Sequence, residues 1–305
     1  MQIDKIIVAI DFSRHSEAAV SQALKVARGI GAELILLHVG LMPDQIQFDD
    51  SVAPTAVTEY QRLAKAHLDV DREKLSQLHD RISGQGVTVS KLFRDGHPDE
   101  AIIEAAADTG AKMIVVGTHG RTGFRRLALG SVAQRVVRTA SVPVLVARPD
   151  PEPRQRFNHI FVATDFSSFG KAATALAFEL AEAGSTVELF SSWQMPAEAM
   201  GFHPPVAAEG ALLGPIIESM EKSARARLQD IVDGNAKEGV NTTIRTVEGN
   251  PSRCILRALE TGDYDLVVTG SHGRRGFRRW LLGSVSERIV QLAPCSVLVV
   301  REPSH

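Results

Sequence analysis

Two stretches of this sequence carry residue types at a spacing that suits phosphate chemistry: Gly117-x2-Gly120-x9-Gly130-Ser131 and, 153 residues later, Gly270-x2-Gly273-x9-Gly283-Ser284. Glycine leaves no Cβ between backbone and ligand and tolerates positive φ. Gly117 and Gly120 therefore let the chain pass close to a bound group. Where Gly130-Ser131 opens a helix, free amides, the positive end of the helix dipole and the Ser131 hydroxyl can together hold phosphate oxygens. The same residues also fit a plainer role, in which the glycines only make turns and Ser131 only caps its helix. Identical glycine spacing in two copies favours the ligand loop, although duplication also copies structural features.

Other groups with chemical potential stand nearby. Asp11 and Asp165 each close a short apolar run, and Ser13 and Ser167 behind them can cap the following helix, which leaves the two carboxylates to meet a ligand. His119 and His272 lie inside the glycine loops, where an imidazole can bond phosphate or ribose. No second His or Cys stands at zinc spacing beside either one. Arg121, Arg125 and Arg126, with Arg274, Arg275, Arg278 and Arg279, make both loops basic. Beside a phosphate site such cations raise anion affinity; otherwise they are a solvated surface.

The elements that must place these residues follow from a self-comparison. Gly117 to Arg138 matches Gly270 to Gln291 at 14 of 22 positions. Val8 to Ser13 pairs with Val162 to Ser167 at an offset of 154, so two units of about 145 residues account for nearly the whole chain. The units are expected at 1–148 and 157–305, with 149–156 a stiff proline-rich linker. In the first unit, apolar runs at Lys5–Ile10, Glu33–Val39, Thr88–Phe93, Met113–Gly117 and Val144–Ala147 suit strands buried on both faces of a parallel sheet. Helical stretches fall between them at Ser16–Gly29, Val57–Ser83, Pro98–Thr109 and Ser131–Thr139. Gly29, Gly31, Gly84 and Gly86 are placed to end helices. The expected fold is α/β: two tandem doubly wound domains, each a five-stranded parallel sheet with helices on both faces and its ligand at the carboxyl ends of the strands. Gly40–Ala56 and Gln194–Gly214 read as long irregular stretches.

Composition narrows the function. The 305 residues carry 34 Lys and Arg against 36 Asp and Glu, a formal net charge of -2, which disfavours a general nucleic-acid surface. Two cysteines, Cys254 and Cys295, provide no disulfide framework and are expected as core thiols. The absence of a leader pattern or a long apolar run points to a cytoplasmic protein without a membrane partner.

On the paired G-x2-G-x9-G-S loops, the Asp after the first strand and the G-x-P turn after the third, each half resembles the universal stress proteins, and the chain resembles a tandem member of that family. The resemblance covers about residues 3–148 and 157–301. It implies an ATP-binding or other adenine-nucleotide-binding regulatory protein of the stress response, with slow hydrolysis at most and Mg2+ held mainly by the phosphates. Carried over, it places Asp11 at the adenosine part and Val39 with backbone bonds to adenine. It sets Gly117, His119, Gly120, Gly130, Ser131 and Val132 around ribose and phosphates. The second set is Asp165, Gly270, His272, Gly273, Gly283, Ser284 and Val285. Ser192 followed by Trp193 replaces Val39, a departure at the adenine position. The resemblance further implies pairing of units through the last strand, so that the two domains can pair with each other, and it is compatible with a homodimer of whole chains.

Three other functions fit less well. A phosphoryl-transfer or ATP-hydrolysing enzyme using the same loops lacks G-x4-G-K-S/T and a duplicated general base. In a phospho-acceptor receiver Asp95 would be the acceptor, yet Glu248 replaces it in the second unit, and Arg148 and Arg301 stand near the lysine position. A nicotinamide dehydrogenase needs a G-x-G-x-x-G that does not follow the first strand.

Overall fold

A computed structural model of the chain describes residues 2–40, 53–120, 129–150, 154–194, 206–273 and 282–301. It divides into two compact units, Met1–Gln155 and Arg156–His305. The first runs β1 (Lys5–Ile10), α1 (Arg14–Ile30), β2 (Glu33–Gly40), α2 (Pro54–Ile82), β3 (Val89–Asp95), α3 (Pro98–Thr109), β4 (Met113–Gly117), α4 (Ser131–Thr139) and β5 (Val144–Ala147). The second repeats the order: β6 (His159–Ala163), α5 (Ser168–Leu180), β7 (Thr186–Trp193), α6 (Val206–Asn235), β8 (Asn241–Glu248), α7 (Pro251–Thr261), β9 (Leu266–Gly270), α8 (Ser284–Leu292) and β10 (Ser296–Val300).

Within each unit every strand pair is parallel. The spatial order is β3-β2-β1-β4-β5 in the first and β8-β7-β6-β9-β10 in the second. The doubly wound α/β class expected from the sequence is thus borne out. Right-handed crossovers from β1 toward β3 lay α1 and α2 on one face, and the return through β4 and β5 lays α3 and α4 on the other. Strands covered on both sides need continuous apolar runs. Ile6, Ile7, Val8, Leu34, Leu36, Leu37, Val115 and Leu145 are accordingly buried. The chain reverses direction across the sheet between β1 and β4, and that switch point opens a crevice at the carboxyl ends of these two strands.

Helix ends follow the sequence in part. Gly31 sits in the left-handed region at φ 71 and ends α1, its amide bonding the Ala27 carbonyl. Gly29 lies inside α1, because the helix needs only one left-handed residue to stop. Gly84 and Gly86 also take positive φ, but α2 ends one residue earlier at extended Ser83. The two stretches expected to be irregular are partly helical. Pro54 occupies the first turn of α2, where a missing amide hydrogen costs nothing, and α6 already begins at Val206. The rest of those stretches, 41–52 and 195–205, lies outside the described residues. Cys254 and Cys295 are half-buried rather than core groups. No described helix is long and apolar enough to cross a membrane.

A buried ion pair ties the exit of the first unit to its first helix. Lys25, on α1, is 3% exposed, and its ammonium donates to Asp150 Oδ2 at 2.8 Å. Asp150 follows β5, so this bond ties the segment leaving the unit back to the helix. Removing one member of a buried pair strands the other charge. Asp150→Ala is expected to destabilise the first unit by about 3 kcal/mol, and Lys25→Met by clearly less. Urea unfolding of both variants checks this, and equal losses would contradict that order.

Candidate functional site

The site is built at the carboxyl end of β1. Ser13 caps α1, its hydroxyl oxygen accepting from the Ser16 amide at 3.3 Å. A hydroxyl has one donor as well as its lone pairs, and here the donor goes to Asp11 Oδ1 at 2.6 Å, which also accepts from the Ser13 amide at 3.0 Å. The capping serine therefore does not release Asp11, as the sequence had suggested. It fastens one carboxylate oxygen and orients the other. Phe12, between them, adopts φ 63, a conformation rarely taken by a residue with a Cβ. The second unit repeats the turn: Asp165 Oδ1 accepts from Ser167 Oγ at 2.6 Å and its amide at 3.0 Å, and Phe166 has φ 67.

Opposite stands the end of β4. A Cβ on Gly117 would lie 2.7 Å from the His15 carbonyl oxygen and 2.8 Å from its carbon. This glycine is required by the approach of α1 to β4. A Cβ on Gly120 would meet Asp11 Oδ2 at 3.0 Å, so Gly120 passes directly over the second carboxylate oxygen. Gly270 and Gly273 stand in the same relations, to Phe169 and to Asp165 Oδ2 at 2.9 Å. The loop closes where the Gly130 amide donates to the Thr118 carbonyl at 2.7 Å, and the Gly283 amide to that of Ser271 at 2.8 Å. The N-caps of α4 and α8 are Gly130 and Gly283, with no side chain bonded there. Ser131 and Ser284 are exposed first-turn residues and not caps, while Val132 and Val285 are half-buried. The seven loop arginines, Arg121, Arg125, Arg126, Arg274, Arg275, Arg278 and Arg279, lie outside the described residues.

Between carboxylate and helix end sits His119. Both of its ring nitrogens are buried and have no hydrogen-bond partner, a state that costs a polar group about 1–3 kcal/mol. Its ring lies 5.0 Å from that of His15, whose Nδ1 is 3.0 Å from Thr118 Oγ1. Burial, then the neighbouring His119, lowers the His15 pKa below the usual histidine value, against the opposing pull of Asp11. In the second unit His272 packs on Phe169, and its Nδ1 is 3.1 Å from Ser271 Oγ. Its Nε2 is buried without a partner. Burial and then Arg301 hold its pKa down.

Val39 lies one residue beyond the Ile10–His38 register pair, so the ends of β1 and β2 put it beside Asp11. Its counterpart Ser192 precedes Trp193, whose indole nitrogen is buried without a partner. The structure thus gathers Asp11, Gly117, His119, Gly120 and Gly130 with Ser131 at one crevice, and the matching residues of the second unit at another. Sequence reading missed His15, Thr118 and the buried His38. His15 has no histidine counterpart, since Phe169 takes its place, so a search guided by the repeat passes over it. Among the described residues no group of three His, Cys, Asp or Glu could hold a metal ion.

The model of the universal stress protein family matches residues 2–148 and 156–301. A universal stress protein of Mycolicibacterium smegmatis is 30% identical over 305 residues, covering 97% of this chain and 96% of the relative. One from Mycobacterium tuberculosis is 28% identical over 308 residues, with the same coverage. The crystal structure of a universal stress protein from Archaeoglobus fulgidus superposes with a TM-score of 0.67 at 22% identity, covering 99% of each chain.

The glycines separate by role. Gly117→Ala forces the α1 backbone away from β4 and is expected to destabilise the first unit by about 1–3 kcal/mol. Gly120→Ala meets only a carboxylate oxygen and is expected to leave the melting temperature nearly unchanged. Thermal unfolding of the two variants checks this, and the reverse order would refute the assignment.

Proposed function

The chain belongs to the universal stress protein family, and from that premise we propose that it is a regulatory protein binding ATP or another adenine nucleotide at the β1–β4 crevice of its first unit. The observation that carries this reading is His119, an imidazole with both nitrogens buried and unbonded, set between a carboxylate and a helix end without a side-chain cap. Buried polar groups are nearly always paired, and a ligand rich in hydroxyls and phosphate oxygens supplies the missing partners. The residues fit such a group part by part. First-turn amides of α4 and the Ser131 hydroxyl suit phosphate, in the field of a helix N-terminus. Asp11 Oδ2 is an acceptor for ribose hydroxyls. The carboxyl end of β2 at Val39, past its last pair with β1, offers backbone bonds to a base, and Gly120 keeps the passage open. Mg2+ in this reading is held by the phosphates.

The matching geometry at Asp165, Gly273, His272 and Gly283 supports a second site, altered by Ser192 and Trp193 where the first unit has Val39. The role is regulatory, with hydrolysis slow at most: each carboxylate at the crevice is tethered to the capping serine behind it, a holding arrangement. Mass spectrometry of nucleotide retained through gentle purification gives identity and stoichiometry. Mg-ATP at about 100 times its Kd is expected to raise the melting temperature by roughly 5–10 °C, and Gly120→Ala to abolish the first-unit share of that rise. No shift with ATP, ADP or AMP would overturn the reading, and turnover of several ATP per second would move it to the enzymes.

A further inference from the structure

We propose that His38 and Asp71 share a proton and, in holding it, position the ends of β1 and β2, so that nucleotide binding by the first unit weakens as pH rises while binding by the second does not. The proposal rests on the nucleotide reading above for its ligand, but not for its proton.

His38 is 3% exposed and Asp71 4%. The His38 Nδ1 lies 2.7 Å from the Ile10 carbonyl oxygen. A carbonyl only accepts, so Nδ1 carries a hydrogen; the tautomer follows from the bonding network. Nε2 then faces Asp71 Oδ2 at 3.4 Å. A neutral ring with its hydrogen on Nδ1 would turn the bare Nε2 lone pair toward a carboxylate in a buried place, where repulsion is weakly screened. One proton between the two atoms removes that conflict. The pair therefore holds one proton more than a neutral imidazole and an ionised carboxylate would.

The acceptors that face the His38 ring are the Ile10 carbonyl and Asp71. From α2, Lys74 Nζ approaches Asp71 Oδ1 at 3.3 Å, a positive charge beside that carboxylate. The Arg72 guanidinium lies 4.6 Å over the Phe93 ring. From β3 comes Phe93 itself, while Arg94 turns to Asp108. From β1 come Ile10 and Phe12, and Asp11 just beyond is bonded to Ser13. The His38 ring thus lies between Phe12 at 4.8 Å and Phe93 at 5.4 Å.

The pair stands directly behind the site. Ile10 precedes Asp11 and His38 precedes Val39, so a single ring fixes both strand ends and ties them to α2. Loss of the shared proton sets Nε2 against Asp71 and loosens α2 from them. His38 and Asp71 are positioning residues, with no direct contact to the ligand.

The second unit is an internal control. One step beyond the Ala163–Phe190 register pair, Thr164 and Ser191 take the places of Ile10 and His38. Arg227 lies over Phe166 at 3.9 Å as Lys74 lies over Phe12 at 5.4 Å. That equivalence brings Ala224 to the place of Asp71. Serine and alanine cannot hold the proton.

Calorimetric titration with Mg-ATP between about pH 6 and about pH 9 tests the proposal on the full chain, with the second site as reference. The first-site affinity is expected to fall roughly tenfold across that range relative to the second. Asp71→Asn is expected to keep affinity and abolish the fall, because an amide N–H donates to the neutral ring at every pH. A merely structural contact would lower stability in that variant and leave the profile unchanged, which would overturn the proposal. Nitrogen-15 NMR of the His38 ring reads the proton without nucleotide: a protonated Nε2 at about pH 7.5, lost in Asp71→Asn, supports it, and a bare Nε2 in the wild type overturns it. Absence of nucleotide binding at every pH would overturn the nucleotide reading, leaving the ring signal to decide the pair.

Discussion

Everything at the crevice depends on how closely β4 can approach the first turn of α1. At Gly117 a Cβ would stand 2.7 Å from the His15 carbonyl, and at Gly270 it would stand 2.8 Å from Phe169 Cβ. Real Cβ atoms do not tolerate such distances, so the glycine is the condition for the contact. Once strand and helix touch, the three residues after β4 must turn across the end of β1. That turn carries Gly120 over Asp11 and buries His119 beside the helix. The switch point of a doubly wound sheet provides a crevice, and one absent methyl group sets its width.

The same constraint explains the electrostatic character of the place. A tight strand-to-helix junction leaves backbone and side-chain polar groups without water, and most are paired locally. Asp11 binds the Ser13 amide and hydroxyl, His15 meets Thr118, and the Gly130 amide closes on the Thr118 carbonyl. Among the described residues at the crevice, local pairing leaves over His119 and the start of α4, which has no side-chain cap. Unsatisfied donors and acceptors beside a helix N-terminus are where an anionic ligand gains most from the protein.

Much of this was legible in the sequence, for identifiable reasons. The strands announced themselves because burial on both faces removes polar alternation, and the repeat announced the fold twice. The glycine spacing pointed to the loop between β4 and α4 but hid a division of labour, since nothing local says that Gly117 faces a helix and Gly120 a carboxylate. Asp11 was read as released by Ser13, because a sequence shows that serine accepts at a helix cap and not that its hydrogen goes back to the aspartate. Pro54 was read as part of an irregular stretch, whereas the first turn of a helix tolerates it. His38 and Asp71 lie 33 positions apart on a strand and a helix, a separation that no periodicity reports.

Divergence between the units is informative because the frame is held constant. Asp–Phe–Ser turns with Phe at positive φ, glycines over the carboxylate and a glycine N-cap occur in both. The positions behind them changed chemistry: His15 became Phe169, His38 became Ser191, Asp71 became Ala224, and Val39 became Ser192. The parts that set backbone geometry were kept, and the parts that set polarity and charge around it were exchanged. A duplicated site drifting without function would lose the strained turn first, since a positive-φ phenylalanine costs on the order of 1 kcal/mol and any local relaxation removes it. Its retention beside exchanged polar neighbours means that the second unit keeps the backbone frame of the crevice and changes only the polarity around it.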